Sequence, residues 1–423
     1  MREIIAGVST FSTLSYIIFV QPAILSKVGA DFYTVVFATC VSSAIATLIL
    51  GATTNLPFAI APAMGHNIFF AFTICSAFGL TFYQGMFVNF LSALTSLLVS
   101  LTGVLWITID KMPKSIKIGI TSGIGLLIGI VGFQWGGIIE QSPETIIKLG
   151  NIKSVPFLST SLGLIVSAVL YSLNIRFSII FGILVSTLVL LNQGYIKIPE
   201  KIFSIPSLPE RIINVDFFIP EHKILDIISA FLVLLILDVF DTAGTLVGLF
   251  TAAGITPEKK IVKKSFVADS LGAVAGTVLG TTTLTTYIES AVGIKSGGRT
   301  KITAFTISFL FILSLFFLPI IQIIGEGIKY EGKILHPQIA PAMIFVGFTI
   351  LSVIKDLDFD DITESFPAII TLLIMGFSLS ITDGIAFGFI SYTILKIFSG
   401  RAKELNMFVI IVSALFLIKI IID

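Results

Sequence analysis

Apolar runs long enough to cross a bilayer, separated by short polar joints, fill this sequence almost from its first residue. A membrane helix needs roughly 20 apolar residues. Runs of that kind start near Ile4, Tyr33, Gly85, Ile116, Leu158, Phe177, Ile224, Val262, Thr303 and Ala340. Two more fill Phe366 to Phe398, broken near Thr382-Asp383-Gly384. Of the 423 residues 55% are hydrophobic and 12% charged. A soluble domain carries about 25% charged residues, so this chain cannot hide its apolar surface from water. It reads as an all-α polytopic membrane protein.

Two further segments are apolar but interrupted, Asn55 to Ala77 and Thr281 to Ile294. Counting them gives about 14 crossings at this spacing. The last run, Met407 to Ile422, reads equally as an extra span or an interfacial helix. The first run lacks the polar segment and small-residue cleavage site of a signal peptide, so it reads as the first span. Short basic loops mark the cytoplasmic side. They are Lys111 with Lys114 and Lys117, Lys259 to Lys264, Arg299 with Lys301, and Arg401 with Lys403. These share the side of the N-terminus in that count. The expectation is a multi-pass protein of the cell (plasma) membrane with a cytoplasmic N-terminus.

Several function classes drop out. A net charge of +1 without a basic patch offers nothing to nucleic acid. Cys40 and Cys75 lie in apolar segments without a CxxC pair, and His66, His222 and His336 are scattered. No metal or cofactor is expected. HExxH and GxSxG signatures are missing, so an enzyme is not expected.

A shift of 229 positions carries Ser9–Thr13 (STFST) onto Asp238–Thr242 (DVFDT), and Leu50–Thr54 (LGATT) onto Leu279–Thr283 (LGTTT). A repeat at that register leaves seven spans in each half, an odd number, and so opposite orientations. That is the inverted-repeat plan of secondary transporters, whose substrate lies near the midplane between discontinuous helices. The sequence pointer is an interrupted segment at the same place in each half. Asn55–Asn67 (NLPFAIAPAMGHN) and Thr281–Ser290 (TTTLTTYIES) are such segments, each reading as extended chain followed by a helix start. A helix start at membrane depth aims free N–H groups at whatever cavity it faces. Asn67 and Glu289 are expected just inside the two starts, facing each other.

The acids within the spans then need a purpose. Thr286-Tyr287-Ile288-Glu289 fits a capping box, in which the glutamate bonds backbone N–H groups; alternatively Glu289 accepts hydrogen bonds from a substrate and takes a proton. Asp238 and Asp241 are three apart on one helical face. Ionisable groups inside spans line a pathway or pair with each other, and these segments contain no Lys or Arg, so protons or cations are the missing partner. A hydrogen-bonded structural aspartate is the plainer reading of each. Asp269 follows Lys264 by five residues and reads as structural, near the cytoplasmic interface. Asp383 reads as a turn residue. His66 is either a packed histidine or a titrating group beside the cavity.

The stretches EIIAGVSTFSTLSYIIFVQPAIL, NLPFAIAPAMGHNIFFAF, DVFDTAGTLVG, ADSLGAVAGTVLGTTTLTTYIESAVGIKSGGRT and GIAFGFISY resemble the AzgA-type adenine/guanine/hypoxanthine permeases, a branch of the xanthine/uracil permease (nucleobase–ascorbate transporter) superfamily. The resemblance runs along essentially the whole chain. It implies a 7+7 inverted repeat with a short strand and half-helix in the third and tenth spans. It also implies a core domain (1–110 and 223–335) moving against a gate domain (111–222 and 336–423). A purine nucleobase would bind at Gly65, Asn67, Asp238 and Glu289, with proton symport and without a cofactor. Asp241 would support folding or coupling, and His66 and Asp269 stand as coupling or supporting candidates. A homodimer is a family-level expectation. Three positions depart from the family pattern: Ala63 and Gln21 replace its glycine and asparagine, and His66 stands where it has an apolar residue. A uracil or xanthine carrier, or an anion transporter of the same plan, is the alternative; an anion carrier would want a cationic residue at the site. A channel would not accumulate substrate against a gradient.

Overall fold

The computed structural model describes residues 1–102, 112–142, 145–175, 177–217, 223–256 and 258–422. Lys111, His222 and the expected boundaries at 110/111 and 222/223 lie outside these residues. The chain opens with α1 (Arg2–Leu14), α2 (Ile17–Ser26) and α3 (Phe32–Thr54). The strand β1 (Ile60–Pro62) and short α4 (Met64–Ile68) follow, and α4 continues into a π-helical stretch, Phe69–Ala77. Then come α5 (Phe82–Thr102), α6 (Lys114–Trp135), the hairpin β2 (Ile139–Ser142) and β3 (Ile146–Leu149), α7 (Val155–Ser172) and α8 (Ser178–Asn192). Next are α9 (Ile224–Ala253), α10 (Lys259–Leu279), β4 (Leu284–Thr286) and α11 (Ser290–Lys295). The chain finishes with α12 (Lys301–Ser314), α13 (Leu318–Gly325), the hairpin β5 (Ile328–Tyr330) and β6 (Lys333–Leu335), α14 (Ala340–Leu351), α15 (Ile362–Ser378), α16 (Ile381–Phe398) and α17 (Met407–Ile422).

Among the described residues seven helical segments are long and apolar enough to cross a membrane, and four more are shorter but apolar. The protein is a multi-pass membrane protein. The expected run starts fall on helices, except Phe177, which stands immediately before α8. The break placed near Thr382 falls slightly earlier, where Leu379 takes a left-handed conformation and Ser380 caps α16. Asp383 is therefore in the first turn of α16 rather than in a turn between helices, and its N–H bonds the Ser380 hydroxyl at 3.3 Å.

The centre is built by two helices that stop short. Asn55 ends α3 and Gly280 ends α10, each in the left-handed conformation that closes a helix. Extended chain follows, and β1 and β4 pair antiparallel, Ile60 with Thr286, Ala61 with Thr285 and Pro62 with Leu284. Both strands are buried. Strand backbone in a membrane interior must find partners within the protein, and here side-chain hydroxyls supply them. The Ile60 N–H donates to Thr47 at 2.9 Å and the Ala59 N–H to Ser290 at 3.0 Å. The Tyr287 and Ala63 N–H groups bond Ala59 and Thr283 carbonyls across the pair, at 2.8 and 3.0 Å. That accounts for the threonines and serines at these points.

The matching caps, Asn55 and Gly280, are 225 positions apart, not 229. LGATT lies in the last turns of α3, whereas LGTTT straddles the end of α10 and the extended chain beyond it. The 229 register is thus corrected at the breaks: similar small-residue letters serve a helix in one half and a cap in the other.

Helix packing falls into two groups. One sets α3 between α10 and α12, α5 against α9 and α10, and α1 against α11 and α12; the other sets α6 between α14 and α15, with α7 and α8 against α14. Small residues allow the close approaches. A Cβ on Gly272 of α10 would come to 2.5 Å from the Ala46 side chain of α3, and one on Gly125 of α6 to 2.5 Å from the Leu351 backbone nitrogen of α14.

Candidate functional site

Around the paired strands the polar side chains form two kinds of arrangement. In the first, every group is satisfied. Asp269, on the middle of α10 and 2% exposed, accepts from Thr242 of α9 at 2.5 Å and from Thr286 of β4 at 2.9 Å. Asp269 therefore ties α9, α10 and β4 together. It does not pair with Lys264, whose ammonium instead bonds the Thr53 carbonyl at 3.1 Å. Its partners come from other elements, which sequence spacing along α10 cannot show.

In the second arrangement groups are left over. His66 and Asp238 are 1% and 2% exposed, and His66 Nε2 lies 3.9 Å from Asp238 Oδ1. That is beyond a hydrogen bond, and both His66 nitrogens and Asp238 Oδ1 have no hydrogen-bond partner. Ser96 of α5 is close to the same carboxylate and accepts from the Ser270 hydroxyl of α10 at 3.5 Å. A buried polar atom without a partner costs about 1–3 kcal/mol.

Glu289 stands immediately before α11, and its carboxylate accepts from the Tyr16 hydroxyl at 3.2 Å. Tyr16 sits at the break between α1 and α2. The capping box is not formed: α11 has no side-chain cap, and the Thr286 hydroxyl is spent on Asp269. Asn67, fully buried in α4, accepts a hydrogen bond at Oδ1 from the Thr282 hydroxyl, and its Nδ2 has the Met64 sulfur at 3.8 Å. Asn67 and Glu289 thus each bond a residue of another segment rather than each other. Gly65 packs against α6, where an added Cβ would meet Ile124 at 3.2 Å. Asp238 and Asp241 differ although they are three apart: Asp238 is buried and Asp241 exposed, and one turn on, a Cβ on Gly244 would face open space.

Sequence reading did not single out Tyr16, Ser96, Thr281 or Thr282 for the site, and took Gln21 only as a departure from a pattern. Gln21, fully buried in α2, donates from Nε2 to the hydroxyls of Thr281 at 2.8 Å and Thr282 at 3.0 Å. The available signal was polarity alone: Tyr16 and Gln21 are polar residues inside an apolar run.

A cavity of about 280 Å³ opens elsewhere, lined by Lys114, Ser115, Asp356, Asp358, Glu364 and Tyr392 among others. Its central acid, Glu364, is already bonded to Ser115, Tyr392 and Lys396, so that cavity has no claim on the chemistry at the strands. Among the described residues no cluster of His, Cys, Asp and Glu could hold a metal ion.

Residues 1–387 match the Permease family of xanthine/uracil type. The chain belongs to that family. It is 38% identical to the adenine permease AdeP of Escherichia coli K12 over 99% of this chain and 92% of the relative. It is 34% identical to the guanine/hypoxanthine permease PbuO of Bacillus subtilis 168 over 99% and 96%. Its fold is similar to the transmembrane domain of the cyanobacterium bicarbonate transporter BicA, with a TM-score of 0.67 at 14% identity, covering 92% of this chain and 96% of that one. The chain is a permease.

Proposed function

We propose that this permease carries purine nucleobases (adenine, guanine or hypoxanthine) across the cell membrane by proton symport. One observation carries the reading to this site: buried donors and acceptors without partners, at His66, Asp238 and Gln21 Oε1, gather beside two paired strands inside a membrane protein. A purine edge alternates N–H donors with acceptors and fits such a set. The printed substrates of the relatives AdeP and PbuO point the same way.

In this reading the base lies between α4, α9 and the start of α11. Glu289 and Asp238 accept ring or exocyclic N–H groups, Asn67 and backbone N–H groups meet ring nitrogens or an oxo group, and Gly65 keeps α4 close to α6. A proton held by Asp238 or Glu289 travels with the base, with His66 and Asp241 as relays and Asp269 holding the frame. Coupling follows because proton and base together favour one of two states. The two packing groups support a division into core (1–110, 223–335) and gate (111–222, 336–423), each half a seven-span repeat inverted against the other, with the core moving against the gate. The N-terminus is cytoplasmic.

The test is competition. Uptake of labelled hypoxanthine into proteoliposomes is measured against unlabelled adenine, guanine, xanthine, uracil and bicarbonate. Inhibition by purines alone is the expected result. Inhibition by uracil or bicarbonate with purines inert would overturn it.

A further inference from the structure

Asn67 is joined to the rest of the protein through a directional chain. Gln21 Nε2 has two protons and no lone pair, and it donates both, to Thr281 and Thr282. The Thr282 hydroxyl has one proton. Since Nε2 cannot accept it, that proton goes to Asn67 Oδ1. The Asn67 carboxamide is thereby held with its oxygen committed and its NH₂ left against nothing better than the Met64 sulfur. All four residues, Gln21, Asn67, Thr281 and Thr282, are fully buried, so water does not scramble the order.

We infer that Gln21 is a positioning residue, which acts through Thr282 to make Asn67 a donor toward the substrate. The site then takes a base with a hydrogen-bond acceptor at that point, either a 6-oxo group or a ring nitrogen without a proton. This rests on the purine reading above. Without the chain Asn67 is free to turn end for end and offer its carbonyl, so a purine lacking that acceptor is no longer rejected. The residues lie on α2, on the chain between α10 and β4, and on α4, which is why neither half alone reveals it.

The experiment measures affinities for hypoxanthine and for three analogues: adenine, which exchanges the 6-oxo acceptor for an amino donor and the N1–H donor for an acceptor, and 7-deazahypoxanthine and 3-deazahypoxanthine, which each remove one ring-nitrogen acceptor. Equilibrium binding to purified protein serves as well as uptake, so a variant that binds but does not transport is still read. In the wild type one analogue binds roughly tenfold worse than hypoxanthine, the usual consequence of an unpaired buried donor. Thr282→Val, which keeps the shape and loses the hydroxyl, abolishes most of that difference. Gln21→Leu does the same from the other end, and Thr282→Ser restores the wild-type ratio. Unchanged ratios in both Thr282→Val and Gln21→Leu would overturn the inference, as would a Thr282→Ser ratio altered as much as that of Thr282→Val. A wild type that binds no purine sinks the purine reading itself, a different failure.

Discussion

Two charged clusters in this protein invite comparison. At the centre, His66 and Asp238 are buried within 3.9 Å of each other and leave three polar atoms unbonded. At the ends of α15 and α16, Lys396 is equally buried but bonds Glu364 at 2.7 Å and Glu404 at 2.6 Å. Arg401 extends that cluster to Asp361 at 2.6 Å and to Glu404 at 2.7 Å. Burial alone therefore does not mark a working site. A charge whose partners are all supplied by the fold is a fastening, and the central pair is not held in that way.

The sharpest way to break this comparison is Glu289→Ala. Uptake should be abolished while the protein remains inserted and folded, because the side-chain bond lost with Glu289 is the single 3.2 Å one from the Tyr16 hydroxyl rather than a buried ion pair. Wild-type purine uptake in that variant would remove Glu289 from the mechanism. The opposite pattern is expected at the fastening. Lys396→Met leaves two carboxylates facing each other and should destabilise the protein by about 3 kcal/mol, the low end for breaking a buried pair, since both acids are partly exposed. A thermal melt reports that loss, and the KM per folded molecule should be unaltered.

A subtler effect is expected from Asp238→Asn, which keeps the shape and removes the titrating group. Membrane abundance should hold and the pH profile of uptake should change. An unchanged profile with normal transport would shift the coupling role to Asp241 or His66. The smallest effect concerns the fastening in acid. Arg401 holds the carboxyls of Asp361 and Glu404 down at about 2 through hydrogen bonds. Their folded-state values lie below the ordinary carboxylate value of about 4, so their contribution is complete above about pH 4 and is lost as the pH falls toward 2. Melting temperature should therefore hold from pH 7 to about 5 and decline below; a decline already complete at pH 5 would show that this cluster does not fasten that end.

Much of this was legible in the sequence, and for physical reasons. A bilayer imposes one length on every apolar run, so the run starts fell on helices or immediately before one. Acids in apolar spans are costly, so Asp238 and Glu289 stood out. What escaped depended on partners from distant segments. The spacing along α10 sets Asp269 beside Lys264, but its partners are Thr242 and Thr286. The repeat register slipped because Asn55 and Gly280 close their helices at different points of two similar motifs. The threonines after Gly280 read only as a strand, though Thr281 and Thr282 are already part of the polar chain that ends on Asn67.

The most direct measurement is accumulation of labelled hypoxanthine in proteoliposomes under an inward proton gradient, for the wild type and Glu289→Ala side by side. The account predicts that the wild type concentrates the base above its outside level, that a protonophore collapses this, and that Glu289→Ala shows none. Equilibration without accumulation, or equal accumulation in both proteins, would contradict it.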